Sequence, residues 1–244
     1  MLNEIILAVI QAATEFLPVS SSGHLALVSN LISEPDVFFF TVLHVASLLA
    51  VLIFTRKEIV ELLSFDERYL KMWVYLIVAT IPAGLVGYYF SGFFEAAFSS
   101  LLLVGVAFLA TGLILVSTRN AKAFAKLNVK NAFAIGLAQV AAILPGISRS
   151  GVTISSGMFL GLNKEKAAKF SFLLFIPLVV GALFIEFGKS YFSLVLVVSF
   201  FVCLILSLVF LKLLMVVIKK DRFWWFGFYC FAVGLISLGL HYFG

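Results

Sequence analysis

The sequence predicts an all-α integral membrane protein built as an inverted-topology repeat, each half a re-entrant helical hairpin followed by three transmembrane helices. Three observations predict it. Apolar residues make up 63% of the 244 and charged residues 12%, against about 45–50% and about 25% in soluble domains. With 28 Phe among them, a water-soluble globule could not hide what it carries. Six apolar segments reach the length of about 20 residues that a spanning helix needs. A Pro-, Ser- and Gly-rich break also occurs twice, and the two copies align: Gln11 with Gln139, and Val19 to Gly23 with Ile147 to Gly151, all at an offset of 128.

The same composition excludes other classes. Gly 17 and Pro 5 rule out collagen and low-complexity linkers, and two Cys rule out a disulfide framework. Cys203 and Cys230 lie in apolar runs and read as buried, inert thiols. The formal charge of +5 does not point to nucleic acid, because the basic residues are scattered among apolar segments. Residues 1–18 lack a basic n-region, and no small-x-small cleavage pattern follows, so no cleaved leader is expected.

The elements follow in order. Segments 4–17 and 22–33 are apolar but too short to span, and the break at 18–23 separates them. Two short helices around such a break read as a hairpin, residues 4–33, that enters and leaves by one face. Irregular backbone at that depth is tolerated only where it lines a cavity or is buried in protein. Spans at 37–55, 72–90 and 98–117 complete the first repeat, residues 1–120. In the second repeat, residues 121–244, segments 132–144 and 151–162 flank the break at 145–151 and form hairpin 132–162; spans at 169–187, 191–217 and 223–242 follow. The two repeats form one membrane domain. Three spans are an odd number, so the second copy sits upside down relative to the first.

Basic residues orient this plan. Alternating the loops puts Arg56, Lys57, Arg68, Lys71, Arg119, Lys122, Lys126, Lys130, Lys164, Lys166, Lys169, Lys219, Lys220 and Arg222 on one face, which is 14 of the 17. The other face receives only Lys189. By the positive-inside rule the basic face is cytoplasmic, and both termini lie outside the inner membrane. Hairpin one then enters from outside and hairpin two from the cytoplasm. Their tips meet near the midplane, in a pocket expected to open outward. Trp224 and Trp225 fit an interfacial belt, and Glu95 and Glu186 fit span ends.

Chemistry concentrates in the two breaks. Glu15 lies in a membrane-embedded half-helix, four residues after Gln11 and on the same face. A charge at the bilayer centre costs on the order of 2.5–3.5 kcal/mol, which makes a decorative carboxylate a poor explanation. Arg149 is the only basic residue far from both faces, and its guanidinium fork suits phosphate oxygens. A structural Glu15–Arg149 pair is the competing reading, and both can hold in an empty site. Ser20, Ser21, Ser22, Ser148 and Ser150 precede new helices; capping uses two of these hydroxyls and leaves others free. Two helix N-termini aimed at one volume, with Arg149, make an anion site. His24, beside this cluster, is a candidate proton carrier. His44 and His241 read as structural, and Gly157 and Gly161 as a small-xxx-small packing step. An acid, hydroxyls, an imidazole and an anion clamp reached from lipid describe a phosphate-ester or pyrophosphate site for a membrane-borne substrate.

At these residues the sequence resembles the undecaprenyl-pyrophosphate phosphatase family, the BacA-type bacitracin-resistance proteins. The first motif is present as Gln11, Glu15, Pro18, Ser20, Ser21, Ser22, Gly23 and His24, the second as Pro145, Gly146, Ser148, Arg149, Ser150, Gly151 and Thr153. The run FSFLLFIP at 170–177 resembles the family's next span. The resemblance implies removal of the terminal phosphate from a C55-type polyprenyl pyrophosphate, recycling the carrier lipid of cell-wall synthesis, with Mg²⁺ or Ca²⁺ as cofactor. It implies Ser21 as nucleophile, Glu15 as its activator or as the metal-side carboxylate, and Arg149 as clamp. His24 is implied as acid/base, with a phospho-His role open. Gln11, Ser20, Ser22, Gly146, Ser148, Ser150, Gly151 and Thr153 are implied in substrate binding. Many members carry Glu where Gln11 stands, so metal binding through that position is not expected to carry over. Phosphatidic-acid-type lipid phosphatases share Ser-Gly-His but also need an Arg-Pro motif, absent here, and a His where Ser155 stands. The inverted repeat is also a transporter plan, so a lipid-phosphate or anion carrier is the alternative function. The partners implied are the lipid and the bilayer; a homo-oligomer is left open.

Overall fold

Among the described residues every regular element is a helix in the computed structural model, which describes residues 2–29, 37–64, 67–185 and 193–243. Helices α1 (Leu2–Phe16) and α2 (Ser21–Ser29) flank the first break, and α8 (Val129–Val140) and α9 (Arg149–Phe159) flank the second. The long helices are α3 (Val37–Phe54), α5 (Glu67–Tyr89), α7 (Leu101–Ser117), α10 (Lys164–Ile185), α11 (Leu194–Lys219) and α12 (Phe226–Phe243). Five of these are long and apolar enough to cross a membrane, and α3 joined to α4 (Arg56–Leu63) makes a sixth. Their outer faces expose residues such as Leu113, Ile205 and Leu235, a surface suited to lipid rather than water. Residues 30–33, Glu186 and Lys189 lie outside the described residues.

Two helices depart from the expectation of plain loops. Helix α4 leaves α3 at 77°, and its sequence RKEIVELL buries only Leu62. The indole of Trp73 donates to Leu62 O at 3.0 Å, holding α4 against α5. Helix α6 (Ser91–Phe98) precedes α7, whose N-cap is Ser100, accepting from Leu103 N at 3.3 Å. Both are eight residues long, below any spanning length.

Helix pairing is reciprocal between the halves. Helix α1 packs on α11, and its counterpart α8 packs on α5, the counterpart of α11; α3 packs on α11 and α10 on α5. The third spans, α7 and α12, pack on one another. Glycine makes that last contact close. A Cβ at Gly227 would lie 2.7 Å from Gly112 O and one at Gly112 2.9 Å from Gly227 O; Gly105 and Gly234 repeat the arrangement one heptad away, at 3.1 and 2.9 Å. Close backbone approach through small residues is how helices associate where lipid supplies no hydrophobic drive. Gly227→Ala is therefore expected to cost about 1–3 kcal/mol by overpacking, lowering the thermal midpoint in detergent. Gly84→Ala, where a Cβ meets nothing within 4 Å, should leave it unchanged.

The Gly157–Gly161 step proves to be two different devices. Gly157 does pack closely, its Cβ position lying 2.9 Å from Ala167 Cβ. Gly161 instead terminates α9 at φ +84. Leu162 N donates to Gly157 O and Gly161 N to Met158 O, the Schellman pattern that a left-handed glycine permits.

The basic loops converge on one face. Lys169 Nζ lies 2.5 Å from Glu58 Oε1, Lys164 pairs with Asp221, and Arg119 stacks 4.7 Å from the Trp224 ring centroid. The starts of α4 and α10 and the ends of α7 and α11 therefore share that face. Inside, the ring of Phe16 meets Phe175 at 5.6 Å and Phe172 at 6.4 Å, edge to face. This fully buried cluster locks the end of α1, and with it Glu15, against α10.

Candidate active site

The two breaks touch. Gly146 N donates to Ser20 Oγ at 3.2 Å, and Ser150 Oγ donates to Leu17 O at 3.4 Å. A Cβ on Gly23 would fall 2.8 Å from Gly146 Cα, so only glycine admits this approach. Each break caps its own helix in the same way. Ser20 Oγ accepts from Gly23 N at 3.2 Å and Ser148 Oγ from Gly151 N at 3.1 Å; Ser20–Ser22 and Ser148–Ser150 hydroxyls each stand 3.3 Å apart. The offset of 128 seen in the sequence thus extends to individual hydrogen bonds. Ser20 departs from its mate in backbone: it holds φ +66, a left-handed conformation costly for any residue with a Cβ.

Glu15 is the hub. Its Oε1 accepts from Arg149 Nη2 at 2.8 Å, while its Oε2 accepts from Ser21 Oγ at 2.6 Å and Gln11 Nε2 at 2.9 Å. One carboxylate therefore joins the nucleophile candidate of the first half to the guanidinium of the second. Arg149 is the first residue of α9, two positions before the expected helix start at 151. Its guanidinium carbon sits 4.2 Å from the Phe175 centroid, and Nη1 donates to Ser171 O at 3.5 Å. Aromatic face, carbonyl and carboxylate together fix the plane of the fork.

These groups open onto a cavity of about 280 Å³. Of the residues singled out in the sequence, Glu15, Ser20, Ser21, Ser22, Ser148 and Arg149 line it. So do Thr14, His44, Gln139 and Phe175, which the sequence reading did not assign to the site, and apolar Ala83, Ile143, Ile147, Leu178, Val179 and Ala182. The remaining predicted residues stand behind this wall. Gln11 is fully buried and braces Glu15. Gly146, held at φ +97, gives its carbonyl to Thr111 Oγ1 at 2.9 Å; Ser150 and Gly151 serve the cap contacts. Thr153 Oγ1 donates to Arg149 O at 2.8 Å and contacts Ser171 Oγ at 2.6 Å, tying α9 to α10. None of these five lines the cavity.

His24 is also absent from the lining. Its Nδ1 lies 2.7 Å from Ser20 O and its Nε2 2.7 Å from Tyr229 Oη, and the ring packs edge-on to Phe108. The expected acid/base thus has both nitrogens committed on the far side of the break. The imidazole that does face the cavity is His44: Nδ1 meets Phe40 O at 2.8 Å, leaving Nε2 3.9 Å from Glu15 Oε2.

Fold and site together define a class: a polytopic integral membrane protein with a buried hydroxyl–carboxylate–guanidinium centre built from two broken helices. The family model described as "Bacitracin resistance protein BacA" matches residues 4–236, and the chain belongs to that family. It is 38% identical to the undecaprenyl-diphosphatase of Methanococcus vannielii, over 97% of this chain and 99% of that one. Similarity to the proteins of the same name from Methanococcus maripaludis strain C6 (39% identical, 97% and 99%) and Thermosipho africanus (37% identical, 97% and 98%) is of the same order.

Proposed function

We propose that the protein is an undecaprenyl-diphosphate phosphatase, cleaving the terminal phosphate from a polyprenyl diphosphate and leaving the lipid monophosphate. The observation that carries this reading is the Ser21 hydroxyl, 2.6 Å from Glu15 Oε2, beside the guanidinium of Arg149. A carrier of lipid phosphate needs the guanidinium and the helix N-termini. It has no use for a hydroxyl held on a carboxylate. The relatives named undecaprenyl-diphosphatase carry the same implication to this chain.

The geometry supports the following roles. Glu15 takes the Ser21 proton as Oγ bonds to the terminal phosphorus, and the bond from that phosphorus to the bridging oxygen breaks. The bridging oxygen leaves on the lipid monophosphate, and water then hydrolyses the phosphoserine to orthophosphate. Arg149, with the first N–H groups of α2 and α9, holds the charge that builds on the phosphoryl oxygens. Ser20, Ser22 and Ser148 line the cavity around it. His44, rather than His24, is the imidazole placed for proton handling.

The inverted repeat belongs to this proposal. Reciprocal helix pairing, duplicated caps and the odd number of spans per half support it. In that arrangement α1–α2 and α8–α9 are re-entrant hairpins from opposite faces, the halves divide at residues 1–120 and 121–244, and the basic face is cytoplasmic with both termini outside.

A divalent cation, Mg²⁺ or Ca²⁺, fits the donor set in one mode only. Among the described residues no group of three or more His, Cys, Asp and Glu forms a metal cage. Among the described residues Glu15 is the one carboxylate on the cavity, which matches the habit of Mg²⁺ of taking one or two carboxylates and completing its shell with water and phosphate oxygens. Bound there, the cation would neutralise diphosphate charge. Gln11→Glu places a second carboxylate where Gln11 Nε2 now donates to Glu15 at 2.9 Å. That variant is expected to need less cation for half-maximal activity, and its thermal midpoint should become cation-dependent. Gln11→Ala should be milder than Glu15→Ala, since it removes one hydrogen bond rather than the carboxylate. If Gln11→Ala proves equally inactive in the same metal titration, this account of the cation is wrong.

The test of the function is product identification. Purified protein in detergent, given a polyprenyl diphosphate with and without EDTA, should yield orthophosphate and the lipid monophosphate by mass spectrometry, and only without EDTA. Unchanged lipid that nonetheless crosses a vesicle bilayer would establish the carrier instead.

A further inference from the structure

A second amide stands in the cavity, and the mechanism above does not use it. Gln139 lies in the last turn of α8, 1% exposed, on the cavity wall that also carries Ser148 and Arg149. Neither its Nε2 nor its Oε1 finds a hydrogen-bond partner among the described residues. Its repeat mate shows what such an amide does when the local sequence provides for it. Gln11 Nε2 donates to Glu15 Oε2, one helical turn further on. In the second half the residue one turn after Gln139 is Ile143, which offers no acceptor and itself lines the cavity.

A buried amide without a partner destabilises the fold that carries it, and a leucine of similar size would fill the same space without that penalty. What answers an amide N–H₂ in a cavity already holding Arg149 and two helix N-termini is an anionic oxygen. We propose that Gln139 is a substrate-binding residue whose Nε2–H₂ donates to oxygens of the lipid's diphosphate. The inference rests on the cavity being the diphosphate site. The two matching amides thus take different tasks: Gln11 holds the carboxylate, and Gln139, lacking a carboxylate to hold, receives the headgroup. Because the donor is neutral and serves the bound headgroup throughout the reaction, its loss weakens substrate and transition state alike.

Gln139→Leu separates this from a structural role. The expected result is a KM for polyprenyl diphosphate raised about tenfold or more, with kcat within about threefold of wild type, and a higher thermal midpoint for the protein without substrate. Gln139→Glu, which keeps the length and adds a negative charge, should raise KM further. An unchanged KM in Gln139→Leu overturns the proposal, as does a lowered midpoint with kcat and KM disturbed together, which would mean that the amide braces α8. Arg149→Lys in the same assay separates the two levels of the argument. Wild-type turnover there removes the site itself, whereas lost turnover there beside a normal KM in Gln139→Leu removes only the assignment of Gln139.

Discussion

Ser21→Ala should abolish phosphate release, with a loss of at least about a thousandfold, the scale seen when the attacking group of a catalytic unit is removed. Among the described residues, the hydroxyl of Ser21 is the one seen to donate to Glu15. Its neighbours do other work. Ser20 Oγ accepts from Gly23 N and Gly146 N, so Ser20→Ala should cost about 1 kcal/mol of cap stability and loosen the junction of the breaks, leaving part of the rate. Among the described residues the Ser22 hydroxyl meets that of Ser20 alone, and Ser22→Ala should be mild. His24→Ala should lower stability through the lost Tyr229 contact yet keep measurable turnover. An active Ser21→Ala beside an inactive His24→Ala would reverse the roles.

Arg149→Lys should lose well over tenfold in turnover, or more than about 1.4 kcal/mol in the barrier. Lysine keeps the charge but not the planar fork that grips Glu15 Oε1 while presenting further donors to phosphate, and it cannot stack as a plane on Phe175. Thermal stability should fall much less than activity, because the pair with Glu15 survives as a single contact. Turnover near wild type would remove the shared site from the account.

How much of this was legible without coordinates depends on which interactions are local. The breaks were, because Pro18, Ser20 to Gly23 and Gly146 to Gly151 interrupt apolar runs with residues that cap helices or permit turns. The spans were, because length and apolarity alone decide them. Helices α4 and α6 were not: each is too short to span, and the charges in α4 read as a loop. His44, Thr14 and Phe175 reach the cavity only through the packing of α1, α3 and α10, which no spacing within one segment reveals. His24 is the opposite case. Adjacency to the serines suggested a shared cavity, but its Nδ1 turns back to Ser20 O and its Nε2 turns to Tyr229, 205 positions away. Gln139 was visible as the mate of Gln11, but that its amide lacks a partner on the cavity wall emerges only from the packing of α8.

A carboxylate from the first half of the chain, Glu15, and a guanidinium from the second, Arg149, meet in one site at 2.8 Å. Thermal midpoints of Glu15→Gln, Arg149→Gln and the double variant test it most directly. Removing one partner strands a charge at a position only 7% or 11% exposed, and breaking such a pair costs about 3–5 kcal/mol. Each single variant should lose stability, and the double variant, with two neutral amides in place of the ions, should regain most of that loss. Losses that simply add would place the two residues apart and contradict it.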